Sequence, residues 1–227
     1  MPMPATFKFT LPGQSEATAK QWLECWSALY SQAYDEPAYY YLREKATRMT
    51  KRDLEILGAW KDGALKKSDL SKASQFDPSQ ASFNGKWSRG AASVAFEVWE
   101  IAASELGGRM TDDFNSDAGE FLKKWSERQG KSGTRTKRFG LSRATTLLHF
   151  LSGGRYPIFD SRVRRAIKKL TGVTQKETVE WYLGEFCSVF DELTKNCAAE
   201  SDRRKVDKAL FAYGGKDKAR SMSSPVK

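Results

Sequence analysis

The stretch that decides the fold runs from residue 138 to residue 170 and reads RFGLSRATTLLHFLSGGRYPIFDSRVRRAIKKL. It opens with a turn, Gly140-Leu141-Ser142, which leads into an apolar run ending at Leu151. Two glycines and a proline between residues 152 and 157 interrupt the pattern. Apolar residues then return at steps of three and four, at Val163, Ala166, Ile167 and Leu170. This spacing predicts a helix that begins at a turn, a break, and a second, amphipathic helix.

The net charge of the chain is concentrated in the same region. The chain has 227 residues, with 38 Lys and Arg against 28 Asp and Glu, and a formal net charge of +10. Residues 128–169 contain twelve basic residues and a single acid, Asp160, so this segment carries +11 and the rest of the chain −1. A surplus of positive charge predicts a polyanionic partner, and its concentration in one segment favours nucleic acid.

The composition also argues against several classes of protein. With 40% hydrophobic residues the chain can bury a core, but no stretch approaches the roughly 18 uninterrupted apolar residues of a membrane span. The cysteines, Cys25, Cys187 and Cys197, are too few and too scattered for a disulfide framework, a four-cysteine metal site or an iron–sulfur cluster. We therefore expect no cofactor and no tightly held metal. The first eight residues lack the features of an export signal, which favours a cytoplasmic location.

Helical periodicity dominates the rest of the chain. Apolar stripes at helical spacing surround Trp22, Val98 and Tyr182. Helix-start signals stand at residues 35–37, at Thr50 and at Asp112-Asp113. Two polar, glycine-containing stretches, residues 72–90 and 129–137, interrupt the helical pattern, and strand alternation is confined to a weak run at residues 7–11. The predicted class is all-α.

The turn at the start of the first helix is a candidate phosphate site. A Gly-hydrophobic-Ser turn at a helix N-terminus leaves backbone N–H groups pointing outward, and the helix dipole adds positive potential there. Gly140, Leu141 and Ser142 therefore suit a phosphate. The flanking Arg138 and Arg143 could add charge-assisted hydrogen bonds, and Arg162 of the second helix is a further candidate for phosphate binding.

Asp160 is the candidate for chemistry because it is the single acid of the basic segment. It stands at the N-cap position of the second helix, two residues before Arg162. The sequence thus predicts a fixed anionic side chain beside an anion-binding surface.

Residues 139–170 resemble the helix-hairpin-helix DNA glycosylase superfamily. Members carry a Gly-hydrophobic-Gly hairpin turn that grips a DNA phosphate, followed some 20 residues later by a stretch like Val-Asp-Thr-His-Val with a catalytic aspartate. Gly140-Leu141-Ser142 is similar to the turn, and residues 159–165, Phe-Asp-Ser-Arg-Val-Arg-Arg, are similar to the aspartate segment. The departures are Ser142 for the second glycine, Arg138-Phe139 for Leu-Pro, and Arg162 for the common histidine.

The resemblance implies a monofunctional DNA glycosylase that acts on double-stranded DNA. Asp160 would stabilise the oxocarbenium-like sugar and orient or deprotonate water, after the target base has been flipped out of the stack. Ala144 occupies the place where bifunctional members carry a Schiff-base lysine, so strand cleavage through an imine is not expected. The substrate would be a damaged base, in DNA repair, or a modified base in phage DNA, in antiviral defence.

The resemblance also implies two helical lobes that flank a cleft. The central lobe would span residues 49–151, with the hairpin turn at 139–143, and both chain ends, residues 1–48 and 152–214, would form the second lobe. Residues 215–227 would be a mobile tail. Asp160 would lie at the junction of the lobes, and the candidates for the base pocket or wedge are Tyr40, Phe83 and Trp87.

Other interpretations stay open at this point. Asp is among the favoured N-cap residues, so Asp160 could act only as a cap in a non-catalytic helix-hairpin-helix DNA-binding protein. The same basic face would also suit RNA or an acidic membrane surface. No protein partner is implied. His149, which lies among apolar residues, is expected in the core rather than in a catalytic site.

Overall fold

The computed structural model describes residues 6–30, 36–65, 83, 93–109, 117–132, 135–199 and 202–215. This part of the chain is mostly helical, as the sequence predicts. The helices are α1 (Ala19–Ala28), α2 (Glu36–Glu44), α3 (Lys51–Lys61), α4 (Ser93–Leu106), α5 (Ala118–Glu127), α6 (Leu141–Leu151), α7 (Ser161–Thr171), α8 (Val179–Trp181), α9 (Cys187–Asn196) and α10 (Arg203–Tyr213). A 3-10 turn (Lys45–Thr47) follows α2, and a π-helical turn (Tyr182–Phe186) joins α8 to α9.

The chain divides into two compact units. The terminal unit combines Met1–Ser31 with Pro157–Lys227, and the central unit is Gln32–Tyr156. The turn at residues 139–143 belongs to the central unit, and Asp160 belongs to the terminal unit. The lobes expected from the sequence, 49–151 and 1–48 with 152–214, stay a prediction. Apart from Gly215, the predicted tail lies outside the described residues.

The core of the central unit forms where α3 packs against α4 and α5 packs against α6. Gly58 allows α3 to approach α4 closely, since a Cβ there would lie 2.5 Å from Cγ of Trp99. The ring of Trp99 in turn meets Phe139 at 4.7 Å between centroids. Both aromatic side chains are buried, and they join α4 to the residues that precede α6.

In the terminal unit α10 packs against both α1 and α7. Tyr213, at the end of α10, contacts Trp22 and Trp26 of α1 edge-on, with ring centroids 5.6 and 5.0 Å apart. The weak run at residues 7–11 does not form a strand. Instead the backbone N–H of Lys8 donates to the carbonyl oxygen of Leu170 at 2.7 Å, which ties this segment to the end of α7.

Helix starts follow the capping signals of the sequence in part. Thr50 forms a capping box with Asp53 at the start of α3, and α2 begins at Glu36, both in agreement with the sequence. The signal at Asp112-Asp113 lies outside the described residues. The helix that follows it in sequence, α5, is capped by Asp117, whose side chain accepts from the N–H of Glu120.

The stretch 129–137, predicted as an interruption between helices, contributes to an antiparallel pair of strands between α5 and α6. The strands are β1 (Gln129–Ser132) and β2 (Arg135–Arg138). We call this pair the basic ribbon. These strands form without the apolar alternation that signals a strand, so the hydrophobic pattern did not predict them. One signal was present, because Gly133-Thr134 is the glycine-first dipeptide that two-residue hairpin loops favour.

Among the helices that the structure describes, none is both long enough and apolar enough to cross a membrane.

Candidate functional site

Asp160 caps the N-terminus of α7, as predicted. Its Oδ1 atom accepts from the backbone N–H groups of Arg162 at 2.8 Å and Val163 at 2.9 Å. The residue is half-buried, whereas Ile158 and Phe159 before it are buried. The carboxylate thus stands at a helix N-terminus, in a fixed orientation.

The segment that leads to Asp160 is held by the aromatic residues around the π-helical turn. The Tyr182 hydroxyl donates to the carbonyl oxygen of Pro157 at 2.7 Å. Phe159 packs against Phe186, with 4.6 Å between ring centroids, and against Trp181 at 5.7 Å. A π turn shifts the side chains that follow it around the helix axis, and such turns are frequent at functional sites. Here the turn brings its aromatic residues to the backbone before Asp160.

The apolar stripe predicted for α7 is confirmed, because Val163, Ala166, Ile167 and Leu170 are all buried. Two of the basic side chains of the helix bind the end of α10. Arg165 donates through Nε to the carbonyl oxygen of Gly214 at 2.8 Å, and Lys169 Nζ donates to that of Tyr213 at 3.1 Å. The last carbonyl groups of a helix carry partial negative charge, so these cations stabilise the C-terminus of α10.

Two more cations of α7 also have partners within the terminal unit. Arg164 forms an ion pair with Glu177 at 2.7 Å. Arg162 lies over the ring of Phe211, 4.2 Å from its centroid. Lys168 has no such partner among the described residues. Much of the positive charge of α7 therefore stabilises the fold, which the sequence count did not reveal.

The turn before α6 has the φ value that favours glycine. Gly140 has φ +83° and occupies the N-cap position, with no side-chain cap. Its N–H donates to the carbonyl of Ser126 at 3.0 Å, and the N–H of Phe139 donates to that of Arg128 at 2.7 Å. Within the described chain the N–H groups of residues 141–143 have no acceptor. The donors left at the helix start are thus those of Leu141, Ser142 and Arg143, and not that of Gly140.

The two arginines that flank the turn differ in their surroundings. Arg143 forms a two-pronged ion pair with Asp62, through Nε at 2.9 Å and Nη2 at 2.9 Å, and its Nη1 donates to the carbonyl of Phe139. Asp62 also accepts from Trp99 Nε1 at 3.0 Å. Arg138 is exposed and has no partner among the described residues. The structure thus gives Arg143 a role in joining α3 to the start of α6.

Replacing Asp62 by Ala should lower the free energy of unfolding by about 2 kcal/mol, because it leaves the Arg143 guanidinium and the Trp99 N–H without their acceptor. Both charged side chains are partly exposed, at 23% and 16%, which moderates the loss. Asp62→Asn keeps an acceptor and should cost about half as much. Urea denaturation followed by tryptophan fluorescence measures both values. Equal stability of Asp62→Ala and the unchanged protein would contradict a structural role for the pair.

The candidates for a base pocket or wedge, Tyr40, Phe83 and Trp87, all fall within the residue range of the central unit. Tyr40 is exposed, at 49%, on α2. Phe83 pairs with Leu65 in an isolated bridge and lies under the guanidinium of Arg52 at 4.8 Å. Trp87 lies outside the described residues.

The neighbours of Tyr40 point into the central unit. Tyr41 donates to Asp53 Oδ1 at 2.5 Å, and burial together with this carboxylate raises the pKa of Tyr41. Tyr39 is buried, with its hydroxyl 3.0 Å from Nε2 of His149. Because Nδ1 of His149 lies 2.7 Å from the carbonyl of Tyr156, that nitrogen carries the proton and Nε2 accepts from Tyr39. His149 is thus a satisfied core residue, as expected.

The cysteines and the other potential metal ligands give little support to alternative chemistry in the described part of the chain. Burial raises the pKa of the Cys187 thiol to about 12 and that of Cys197 to about 11. Both thiols are therefore protonated at neutral pH and poor nucleophiles. Among the described residues, no group of three or more His, Cys, Asp or Glu side chains lies close enough together to hold a metal ion.

Comparison of the chain with models of protein families, with curated proteins and with solved structures finds no match.

Proposed function

We propose that this protein is a monofunctional DNA glycosylase of the helix-hairpin-helix type, which flips a damaged or modified base and hydrolyses its bond to deoxyribose. The observation that carries the proposal is the placement of Asp160. Its half-buried carboxylate is held by two backbone N–H groups at the N-terminus of a basic helix. A DNA strand drawn to that helix would bring its sugars near a negative charge of fixed position.

The chemistry that such a carboxylate suits is cleavage of an N-glycosidic bond. The sugar passes through an oxocarbenium-like state, and a fixed negative charge stabilises that cation. The bond from C1′ of the sugar to the base nitrogen breaks, and its electron pair leaves with the base. The carboxylate orients a water molecule and accepts its proton as the water oxygen bonds to C1′, and this proton balances the negative charge that leaves with the base. Ala144 is fully buried and has no amine, so the product is an abasic site rather than an imine-linked strand.

Phosphate contacts would supply part of the energy for base flipping, which costs a few kcal/mol. The start of α6, with the N–H groups of residues 141–143, supports one such contact. Arg138 supports another because its side chain is exposed. The two lobes and the cleft between them belong to the proposal, as do the cytoplasmic location and the wedge candidates Tyr40, Phe83 and Trp87.

The second candidate function is DNA binding without catalysis. It is favoured by the capping role of Asp160, whose Oδ1 accepts from the backbone N–H groups of Arg162 and Val163 as the side chain of an ordinary N-cap residue does. In that case the basic segment would bind duplex DNA and Asp160 would only stabilise a helix.

Incubation of the purified protein with duplex DNA that carries damaged bases, and with DNA from phages that carry modified bases, should release free bases. The expected product is a strand that breaks only after alkali treatment, because the abasic site is left intact. Released bases are measured by chromatography and breaks on denaturing gels. Strand breaks without alkali would contradict the monofunctional mechanism. Tight binding to all of these DNAs with no base released would support the second candidate.

The same panel distinguishes the two roles left open by the sequence. Release of deaminated, oxidised or alkylated bases would indicate repair. Release confined to the enzymatically modified bases of phage DNA would indicate antiviral defence.

A further inference from the structure

We infer that the basic ribbon, residues 129–132 and 135–138, lies in the major groove of duplex DNA. The inference rests on the duplex-DNA partner of the proposed function, but not on its chemistry. Residues 128–138 contain five cations and no acid. In the structure, residues 129–132 and 135–138 form two paired antiparallel strands.

The register of the ribbon distributes its cations evenly. The cross-strand pairs are Gln129 with Arg138, Gly130 with Lys137, Lys131 with Thr136 and Ser132 with Arg135. Each pair contains one cation and one uncharged residue. Since like charges placed directly opposite each other destabilise a sheet, this register tolerates a high charge while no polyanion is bound.

The base of the ribbon is anchored in the central unit. The N–H of Phe139 bonds to the carbonyl of Arg128, and Phe139 is buried between Trp99 and Trp125. Gly130 is also buried, and β1 packs against α4. Arg128 itself is held by Glu105 and lies over the Trp125 ring. The charge of the ribbon is therefore carried on a supported element, so a partner that binds there pays little ordering entropy.

Its shape and composition favour duplex DNA over other polyanions. The major groove of B-form DNA admits a two-stranded β-ribbon, whereas the major groove of A-form RNA is too deep and narrow for side chains to read. An acidic membrane would also attract the charge, but a segment that inserts at a membrane surface needs large apolar side chains. Residues 128–138 contain no aromatic residue and no Ala, Val, Leu, Ile or Met.

Binding to a duplex of about 20 base pairs, measured by fluorescence anisotropy over a series of salt concentrations, tests the inference. A variant with Gln at all four ribbon cations, Lys131, Arg135, Lys137 and Arg138, should show a shallower slope of log K against log salt concentration. The magnitude of the slope should fall by about 3 to 4, because each phosphate contact contributes about 0.9. Arg138→Gln alone should reduce it by about 0.9. The measurements use the Asp160→Asn background, so that no cleavage alters the DNA.

The matched control removes the same charge from exposed positions outside residues 128–169, by Gln at Lys20, Arg109, Lys176 and Lys195. It should leave the salt dependence within about 0.5 of the unchanged protein, because general attraction adds little to contact-driven counterion release. A second control exchanges Lys and Arg at the four ribbon positions and should keep the full salt dependence. This control separates loss of charge from loss of the fold.

Three results would overturn the inference: an unchanged salt dependence in the four-fold ribbon variant, an equal loss in the matched control, or an equal dependence on the ribbon for an RNA duplex of the same sequence. The outcome is independent of the base-release assay. If the protein releases bases but the four-fold ribbon variant keeps the full salt dependence, the inference about the ribbon fails and the proposed glycosylase function stands. If the four-fold ribbon variant loses salt dependence but the protein releases no base from any DNA, the inference about the ribbon stands and the proposed glycosylase function fails.

Discussion

Asp160→Asn should reduce base release by about 1000-fold, while duplex DNA is still bound. A neutral amide cannot balance the positive charge of an oxocarbenium-like sugar, nor can it accept a proton from water, and each of these effects is commonly worth 100-fold or more. The measurement is the single-turnover rate of base release on the best substrate of the panel. Single turnover excludes product release from the rate.

The position of Asp160 makes this substitution unusually informative. Asn is as good an N-cap as Asp, and its side-chain oxygen can accept from the same N–H groups of Arg162 and Val163. Asp160→Asn should therefore change the free energy of unfolding by no more than about 0.5 kcal/mol. Asp160→Ala also removes the cap and should cost about 1 kcal/mol. Asp160→Ser keeps a cap without a charge.

These variants separate a carboxylate that reacts from one that only caps. A catalytic role predicts that Asn, Ser and Ala at this position all reduce base release by about 1000-fold, although only Ala removes the cap and lowers stability. A capping role predicts that Asn and Ser behave like the unchanged protein. Base release by Asp160→Asn at more than about a tenth of the normal rate would remove Asp160 from the reaction.

The sequence predicted the features that depend on near neighbours in the chain. The cap by Asp160 and the buried stripe of α7 follow from residues within eleven positions of one another. The capping box of Thr50 and Asp53 is similarly local. Such patterns can be recognised in a sequence because helical spacing and capping chemistry act over one to three turns.

The sequence did not predict the partners that come from distant parts of the chain. Asp62 lies 81 positions before Arg143, and Gly214 lies 49 positions after Arg165. In the sequence both arginines add to the positive charge that a polyanion could bind, whereas in the fold Arg143 pairs with a carboxylate and Arg165 with a helix end. Only the tertiary structure shows which cations of a basic segment are already engaged. The ribbon was missed for a different reason, because its residues are polar throughout and lack the alternation that signals a strand.

The lobes, the cleft and the base pocket depend on the whole tertiary arrangement and stay predictions. Pocket shape determines which base is recognised, and one sequence does not contain it in readable form.

Gly214→Ala should lower the free energy of unfolding by about 3 kcal/mol. Gly214 follows α10 with an ordinary φ of −81°, so the requirement is one of space and not of backbone conformation. A Cβ there would lie 2.6 Å from the carbonyl carbon of Arg162 and closer still to its oxygen. These are backbone atoms in the first turn of α7, which cannot rotate away as a flexible side chain could.

The clash would also disturb the contacts that join the two helices. Moving α10 away from α7 would lengthen the bonds from Arg165 to Gly214 and from Lys169 to Tyr213, now 2.8 and 3.1 Å. It would shift the turn that begins at Asp160, so base release should fall as well. This loss should be partial, because the carboxylate is still present.

Gly184→Ala is the matched control, since a Cβ at Gly184 meets no heavy atom within 4 Å. Gly184 lies in the π-helical turn, where Ala should be neutral or stabilise by up to about 1 kcal/mol. Urea denaturation and base release are measured for both variants. If Gly214→Ala matched Gly184→Ala in stability, α7 and α10 could not be in the close contact described. If it lost stability but kept full base release, the first turn of α7 would tolerate displacement, and Asp160 would not need the fixed position on which its proposed role depends.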